Sequence, residues 1–191
     1  MTPEDPLRLV VIVASTRKGR FGPTVARWFA SQAAQRGDLT VDVIDLAEAQ
    51  LPEALSDQRN AAVTAVADKL ARADVFTVVT PEYNHSFPAP LKTAIDWHFK
   101  EWHAKAVGFV SYGGISGGLR AVEQLRPIFA EVHAVTVRDS VSFHGVWTQF
   151  EPGGQPKHPD RANGAATAML SQLVWWGHAL REAKARRPYE P

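Results

Sequence analysis

Cysteine is absent from this 191-residue sequence. That excludes disulfides, thiolate zinc sites, iron–sulfur clusters and any thiol nucleophile. An excess of charge is absent too: 21 Lys and Arg stand against 20 Asp and Glu, a formal net charge of +1. Nucleic-acid-binding domains carry a strongly basic face, so nucleic acid is not expected as a partner. No apolar run is long enough to span a membrane, and the polar residues 1–6 with the short run after them do not compose a signal peptide. The expected location is cytoplasmic, with no membrane partner. His-x-Glu, His-Glu-x-x-His and Gly-x-Ser-x-Gly motifs are missing, and the seven histidines show no ligand spacing, so no metal is expected. Neither a Rossmann G-x-G-x-x-G nor a Walker loop occurs.

What remains is an apolar chain of regular pattern. With 45% hydrophobic residues it suits one globular domain over 1–191. Apolar runs at 9–14, 41–44, 75–79, 106–111 and 132–138 read as strands. Between them lie helical faces: Val25, Trp28, Phe29 and Ala33, then Ala62, Val63, Val66, Ala67 and Leu70, then 91–99, then 119–130. Met169, Leu170, Leu173, Val174, Gly177 and Leu180 mark the inner stripe of a C-terminal helix over 162–186. Apolar strands alternating with amphipathic helices predict a parallel sheet covered on both faces, an α/β doubly wound fold. Residues 1–6 are expected to be a flexible N-terminus and 142–161 a long loop. Pro127 should kink the helix it sits in.

Ligands of such a sheet bind beyond the carboxyl ends of its strands. After the first strand comes "ASTRKGRFGPTVARW", with hydroxyls at Ser15 and Thr16, cations at Arg17, Lys18 and Arg20, and Pro23 opening a helix whose free amides favour an anion. A phosphate monoester suits this loop; a solvated basic turn is the plainer alternative. Asp45 ends the second strand as a ribose-binding acid would, though without the glycine fingerprint an ordinary loop aspartate is favoured. After the third strand comes "TPEYNHSFPAPLKTAIDWH", where three prolines stiffen a loop holding Glu82, Tyr83, Asn84, His85 and Phe87. After the fourth comes "SYGGISGG", whose glycines let backbone approach a ligand closely. Singly, the prolines can simply start a helix and the aromatics can be core. A phosphate loop, a rigid aromatic wall and a glycine-rich wall at one sheet edge together describe a flavin mononucleotide pocket.

These segments also resemble the NAD(P)H-dependent FMN reductases, which include quinone, azo-dye and chromate reductases. The resemblance rests on Ala14-Ser15-Thr16-Arg17, on Pro81-Glu82-Tyr83-Asn84 with Leu91-Lys92-Thr93-Ala94-Ile95-Asp96, and on Ser111-Tyr112-Gly113-Gly114 with Gly117-Gly118-Leu119-Arg120. It implies a flavodoxin-like five-stranded parallel sheet of order 2-1-3-4-5, FMN as cofactor, and NADPH or NADH as co-substrate. A small-molecule electron acceptor and a homodimer or homotetramer follow from the same likeness. Ser15, Arg17 and Thr24 would hold phosphate, while Pro81 to Asn84 and Tyr112 to Gly114 would border the ring. The candidate cofactor-binding set is Ser15, Arg17, Arg20, Pro23, Thr24, Val25, Pro81, Glu82, Tyr83, Asn84, Ser111, Tyr112, Gly113 and Gly114. Two positions depart from the family: Ala14 stands for a glycine and is expected to tighten the phosphate turn, and Ser86 stands where glycine is common, at the loop tip.

No catalytic side chain is expected, because the flavin carries the hard step; His85 is the one titratable group on the proline-rich loop, set against a surface or packing role. The loop 142–161 is read as a lid, an interface arm or a plain surface loop. Trp97, Phe99 and Trp102 suggest a subunit contact, with core packing the alternative for Trp97. The basic stretch 181–187 reads as a solvated helix face. A flavodoxin-type electron carrier would share the fold and cofactor but is generally strongly acidic, unlike this chain. A non-catalytic nucleotide-binding protein would lack bound flavin. Arg17, Lys18 and Arg20 are compatible with a 2′-phosphate, which leaves the choice between NADPH and NADH open.

Overall fold

A computed structural model describes residues 5–190; residues 1–4 of the expected flexible N-terminus lie outside the described residues. Five strands form one parallel sheet: β1 (Leu7–Val13), β2 (Leu39–Asp45), β3 (Val75–Pro81), β4 (Ala106–Gly113) and β5 (Val135–His144). Their order is β2-β1-β3-β4-β5. The helices are α1 (Gly22–Ala34), the single turn α2 (Leu46–Ala49), α3 (Ala61–Arg72), α4 (Ala89–Trp97), α5 (Leu119–Glu131) and α6 (Pro159–Arg186). The fold is flavodoxin-like, as the sequence implied.

Burial follows position in the sheet. The inner strands β3 and β4 are buried at every residue, and β1 at every residue but Arg8. The edge strands are only partly buried, because each has solvent beside it. Leu7, Val11, Val75 and Val110 face α1 and α6, packing on Trp28, Phe29, Met169 and Leu173. Val10, Ile12, Phe76 and Val107 face the opposite way, onto Leu70, Leu91, Ile95 and Phe129 of α3, α4 and α5. A glycine inside a helix costs about 1 kcal/mol against alanine, and Gly177 of α6 shows what it is for. A Cβ there would stand 2.6 Å from both Leu7 Cδ1 and Val75 Cγ1, so its absence lets the helix lie close on the sheet.

Several boundaries differ from the sequence pattern. β5 starts at Val135 and continues to His144, and α6 already begins at Pro159, so the long connection is 145–158 and contains a 3₁₀ turn at Val146–Thr148. α4 stops at Trp97, with His98 as its cap. α5 is continuous through Pro127, with Leu125 and Phe129 on either side fully buried. Trp97 and Trp102 are core: Trp97 donates to Pro52 O at 2.8 Å, and Trp102 packs edge-on against Phe76 and Phe129. Phe99 between them is about half exposed, at 48%.

Candidate flavin site

Three loops leave the carboxyl ends of β1, β3 and β4 and meet at one edge. The first begins where Ala14, still extended, donates to Val79 O at 3.0 Å. Ala14 does not have a positive φ, so alanine here costs no backbone strain. Ser15 is fully buried and accepts from the Tyr112 hydroxyl at 3.1 Å. Gly22 sits over that pair: a Cβ on it would lie 2.5 Å from Ser15 Oγ and 2.8 Å from Tyr112 Oη. The helix α1 therefore starts as close to β1 as the backbone allows. Phe21 offers no side-chain cap and Pro23 occupies the first turn, leaving helix N-terminal amides for an outside acceptor. The amides of Thr16, Arg17 and Lys18 likewise have no acceptor among the described residues, nor has the Thr24 hydroxyl a partner. Residues of this kind fit a phosphate.

The cations of the loop divide. Arg20 is taken up internally, donating to Asp45 Oδ1 at 2.6 Å, Asp45 Oδ2 at 2.8 Å and Ser15 O at 2.9 Å. Asp45 also caps α2, accepting from Ala47 N at 3.0 Å. Arg20 thus ties the loop to the end of β2, and Arg17 and Lys18 are the exposed charges. Val25 is fully buried in the core, and its amide turns back to Phe21 O.

The second loop is a two-residue hairpin. Tyr83 and Ser86 exchange both backbone hydrogen bonds, at 2.9 and 3.0 Å, around Asn84 and His85 with φ of 48° and 72°. Positive φ at both central residues makes this a type I′ turn, which asparagine suits and histidine tolerates less well. Gln124 of α5 secures the tip, donating to His85 O at 2.8 Å and accepting from Ser86 Oγ at 2.5 Å. Ser86 thus has a use that the glycine common at this place would lack. Asn84 and the His85 ring are exposed, Tyr83 is half-buried, and Phe87 packs on the core. Burial raises the pKa of Tyr83, with the charges of Arg17 and Arg20 acting the other way. The hairpin and the phosphate loop therefore face one another.

The third loop, 113–118, has its carbonyls tied back into the protein. Gly114 O accepts from Gly145 N at 2.9 Å, Ile115 O lies 2.9 Å from His144 Nδ1, and Gly117 O accepts from Ser111 Oγ and Ser142 Oγ at 2.8 and 2.9 Å. The amides of Gly114, Ile115 and Ser116 have no acceptor among the described residues. In front of Gly114 there is open space: a Cβ there would meet nothing within 4 Å. Such a run of unused amides favours partial negative charge, as on the carbonyls and nitrogens of a ring edge. Ser111 and Tyr112 stand behind this wall, and neither side chain reaches its front. Tyr112 is core, and burial pushes its hydroxyl pKa well up.

Glu82 joins the second loop to the third. Its side chain is 9% exposed and accepts from Ser116 Oγ at 2.5 Å and from Arg120 through Nη1 at 3.1 Å and the backbone N at 3.3 Å. Gly118 gives α5 no side-chain cap; Glu82, from another element, supplies that acceptor and a negative charge beside the helix N-terminus. Burial by itself would raise the Glu82 pKa, but the Ser116 and Arg120 bonds outweigh it and hold the group below its ordinary value. A carboxylate lowered in the folded state stabilises above its unfolded pKa and stops doing so as pH falls through the folded one. Glu82→Gln should therefore cost about 1–2 kcal/mol near neutrality. Urea melts at several pH values check this: the gap to wild type should close in acid, and a pH-independent gap would exclude the ion pair as its cause.

Known proteins bear on this geometry. A family model described as NADPH-dependent FMN reductase matches residues 7–148. The chain belongs to the NADPH-dependent FMN reductase family. It is accordingly an oxidoreductase with FMN as cofactor and a reduced nicotinamide nucleotide as co-substrate. An NAD(P)H-dependent FMN reductase of Schizosaccharomyces pombe is 33% identical over 122 residues, which are 58% of this chain and 60% of that protein. A quinone reductase of Escherichia coli K12 is 31% identical over 150 residues, 74% of this chain and 79% of that one. In fold, the reductase superposes on the flavoenzyme NAD(P)H:(acceptor) oxidoreductase FerB of Paracoccus denitrificans with a TM-score of 0.73 and 23% identity, covering 91% of this chain and 98% of FerB.

The hydrogen bonds that hold the candidate site together are not legible from local sequence pattern. The bonds Arg20–Asp45, Glu82–Ser116, Gln124–His85 and Tyr112–Ser15 all cross between elements, the last over 97 positions. The "ISGGLR" motif holds a signal for two of the residues involved, since Ser116 and Arg120 are the hydrogen-bonding side chains beside its glycines. Among the described residues no cluster of three His, Cys, Asp or Glu is placed to hold a metal.

Proposed function

We infer that the protein passes reducing equivalents from NADPH or NADH to small acceptors, such as quinones, azo compounds or free flavins, with FMN as the resident carrier. The observation that carries this reading is the meeting of three loops at one sheet edge: the first with the unused amides of Thr16 to Lys18, the Tyr83–Ser86 hairpin, and the third with the unused amides of Gly114 to Ser116. Ser15, Arg17, Pro23 and Thr24 are assigned to the phosphate end. Pro81, Glu82, Tyr83, Asn84, Ser111, Tyr112, Gly113 and Gly114 are assigned to the ring end, where Glu82, Ser111 and Tyr112 act by holding backbone in place. When bound, FMN supplies the redox chemistry, accepting a hydride and giving up electrons. The protein's part is to fix the ring edge against amides already oriented by the Gly117 and Glu82 bonds. His85 is exposed and is given no proton-transfer role.

One open slot, bordered by Tyr83, His85 and Gly113, serves both substrates. Nicotinamide and acceptor cannot stack there together, so oxidised nucleotide leaves before the acceptor enters. Initial rates should give parallel double-reciprocal lines; intersecting lines with a ternary complex in rapid kinetics would overturn the shared slot.

A homodimer or homotetramer completes the proposal, with the region after α4 and the 145–158 connection near the contact. Phe99 at 48% exposure and Trp147 at 71% support it, as large apolar groups left in water. Light scattering at micromolar concentration should give at least twice the 21.0 kDa chain mass; a fully active monomer would sink it. No helix among the described residues is long and apolar enough to cross a membrane, and the cytoplasm is the proposed location.

A further inference from the structure

Beside the phosphate loop, on the β2 side of the sheet, lies a cavity of ≈ 460 Å³ between α2 and the start of α4. We propose that this cavity seats the adenosine half of the reduced nicotinamide nucleotide, and that Glu53 at its wall selects the nucleotide without a 2′-phosphate, NADH over NADPH. The proposal rests on the functional reading above and specifies its co-substrate.

Position is the first argument. Thr16 of the phosphate loop lines the cavity, and so do Ala89 and Pro90, which follow the Tyr83–Ser86 hairpin after only two residues. A dinucleotide with its nicotinamide in the slot by that hairpin has this cavity next to it at the same sheet edge. Lys18, exposed two residues beyond Thr16, stands at the same loop to meet the pyrophosphate.

The lining is the second argument. Leu46, Ala47 and Leu51 come from α2 and the chain after it, and Ala89 and Pro90 from the first turn of α4. Apolar surface from two separate elements suits the faces of a purine, while Gln50, Thr16 and Thr93 offer hydrogen-bonding groups for its edge and ribose. Gln50 holds a left-handed backbone at φ 49°, which turns the chain sharply out of α2. The volume is in the ~300–1,000 Å³ range of ligand pockets, which are mostly apolar with a few placed polar groups.

Charge decides between the nucleotides. Glu53 is exposed and is the only charged residue of the lining. A carboxylate accepts hydrogen bonds from the 2′- and 3′-hydroxyls of ribose, whereas a 2′-phosphate would bring like charge against it. Among the described residues no cation lines the cavity to relieve this, and Arg20 of the adjoining loop is engaged by Asp45 and Ser15. A second cavity, ≈ 490 Å³, flanks the loop on the α1 side and is lined by Arg27 and Glu151. It lies away from the hairpin, and it is the rival site for a phosphorylated nucleotide.

The test uses FMN-loaded protein titrated calorimetrically with ADP-ribose and with 2′-phospho-ADP-ribose, neither of which can reduce flavin. Wild type should bind ADP-ribose ~2- to 5-fold more tightly than its 2′-phosphate, the scale of a like-charge contact at an exposed carboxylate, and the gap should shrink with added salt. Glu53→Gln should narrow that ratio and Glu53→Arg should invert it. Thr93→Trp, which fills the cavity, should weaken both probes, with the 450 nm flavin band reporting that the fold and cofactor are intact. A 2′-phosphate preference in wild type that Arg27→Ala removes would assign the nucleotide to the rival cavity and overturn the proposal. Equal binding of both probes by wild type and Glu53→Arg would overturn it too. Failure of both NADH and NADPH to reduce the wild-type flavin would strike instead at the functional reading, which keeps the two failures apart.

Discussion

Gly22→Val should leave the protein folded and strip it of flavin. Gly22 begins α1 with a φ that any residue accepts, so the obstacle is space alone. Its missing side chain is what allows Ser15 Oγ and Tyr112 Oη to meet beneath it, and Val13 Cγ1 is 3.1 Å away as well. Ser15 and Tyr112 are both buried, Tyr112 among Val13, Val25 and other core side chains. Neither can yield by swinging into water. The easier movement is of α1 itself, whose first turn would lift from the loop and carry its open amides away from the phosphate position. Overpacking of this kind costs ~1–3 kcal/mol, so FMN affinity should fall ~5- to 150-fold. Alanine at the same place, which Ser15 can partly avoid by rotating about χ1, should show a smaller loss. Fluorescence titration of apoprotein with FMN measures both, and circular dichroism checks the fold. Wild-type affinity in Gly22→Val would mean that the first turn of α1 does not touch the phosphate.

This expectation could not have been written from the sequence, and the reason is general to the site. Local pattern revealed what depends on neighbours along the chain. Hydrophobic runs marked β1, β3 and β4 because an inner parallel strand is buried on both faces, and the proline-rich block announced a stiff loop. The end of β5 is hidden in the sequence because an edge strand pays no penalty for Ser140, Ser142 and His144 alternating with Val141 and Phe143. Its alternation resembles a loop when a continuous apolar run is sought. The candidate residues come together at one sheet edge, but their separate contacts are invisible in the sequence. Whether Arg20 faces a ligand or Asp45 depends on a partner 25 positions away, and whether Tyr112 is a wall or a buried post depends on Ser15. Alternation along β4 settles the second question only once the sheet is known to place α1 on that side.

Arg17→Ala should weaken FMN retention by ~1–3 kcal/mol, the scale of a charge-assisted contact, which is about 5- to 150-fold in affinity. The structure sharpens the choice of Arg17 over its neighbours. Arg20 has its donors committed, and its loss should act by loosening the loop from β2. Lys18 is the exposed alternative, yet an ammonium makes a point contact where a guanidinium can grip two oxygens at once. The charge of Arg17 acts on Tyr83 against the effect of burial, so the guanidinium is on the side of the loop nearer the hairpin. The effect should weaken with added salt, because Arg17 is exposed and its charge is screened by ions. Once saturated with flavin, the variant should be reduced by nucleotide at close to the wild-type rate, since Arg17 is assigned to the phosphate end and the ring edge rests on the amides of Gly114 to Ser116. Apoprotein titrations at two ionic strengths and stopped-flow reduction at saturating FMN separate the two effects. A saturated Arg17→Ala protein with a crippled reductive half-reaction would move Arg17 to the ring or to the nucleotide, and would leave Lys18 and the open amides of Thr16 to Lys18 as the phosphate site.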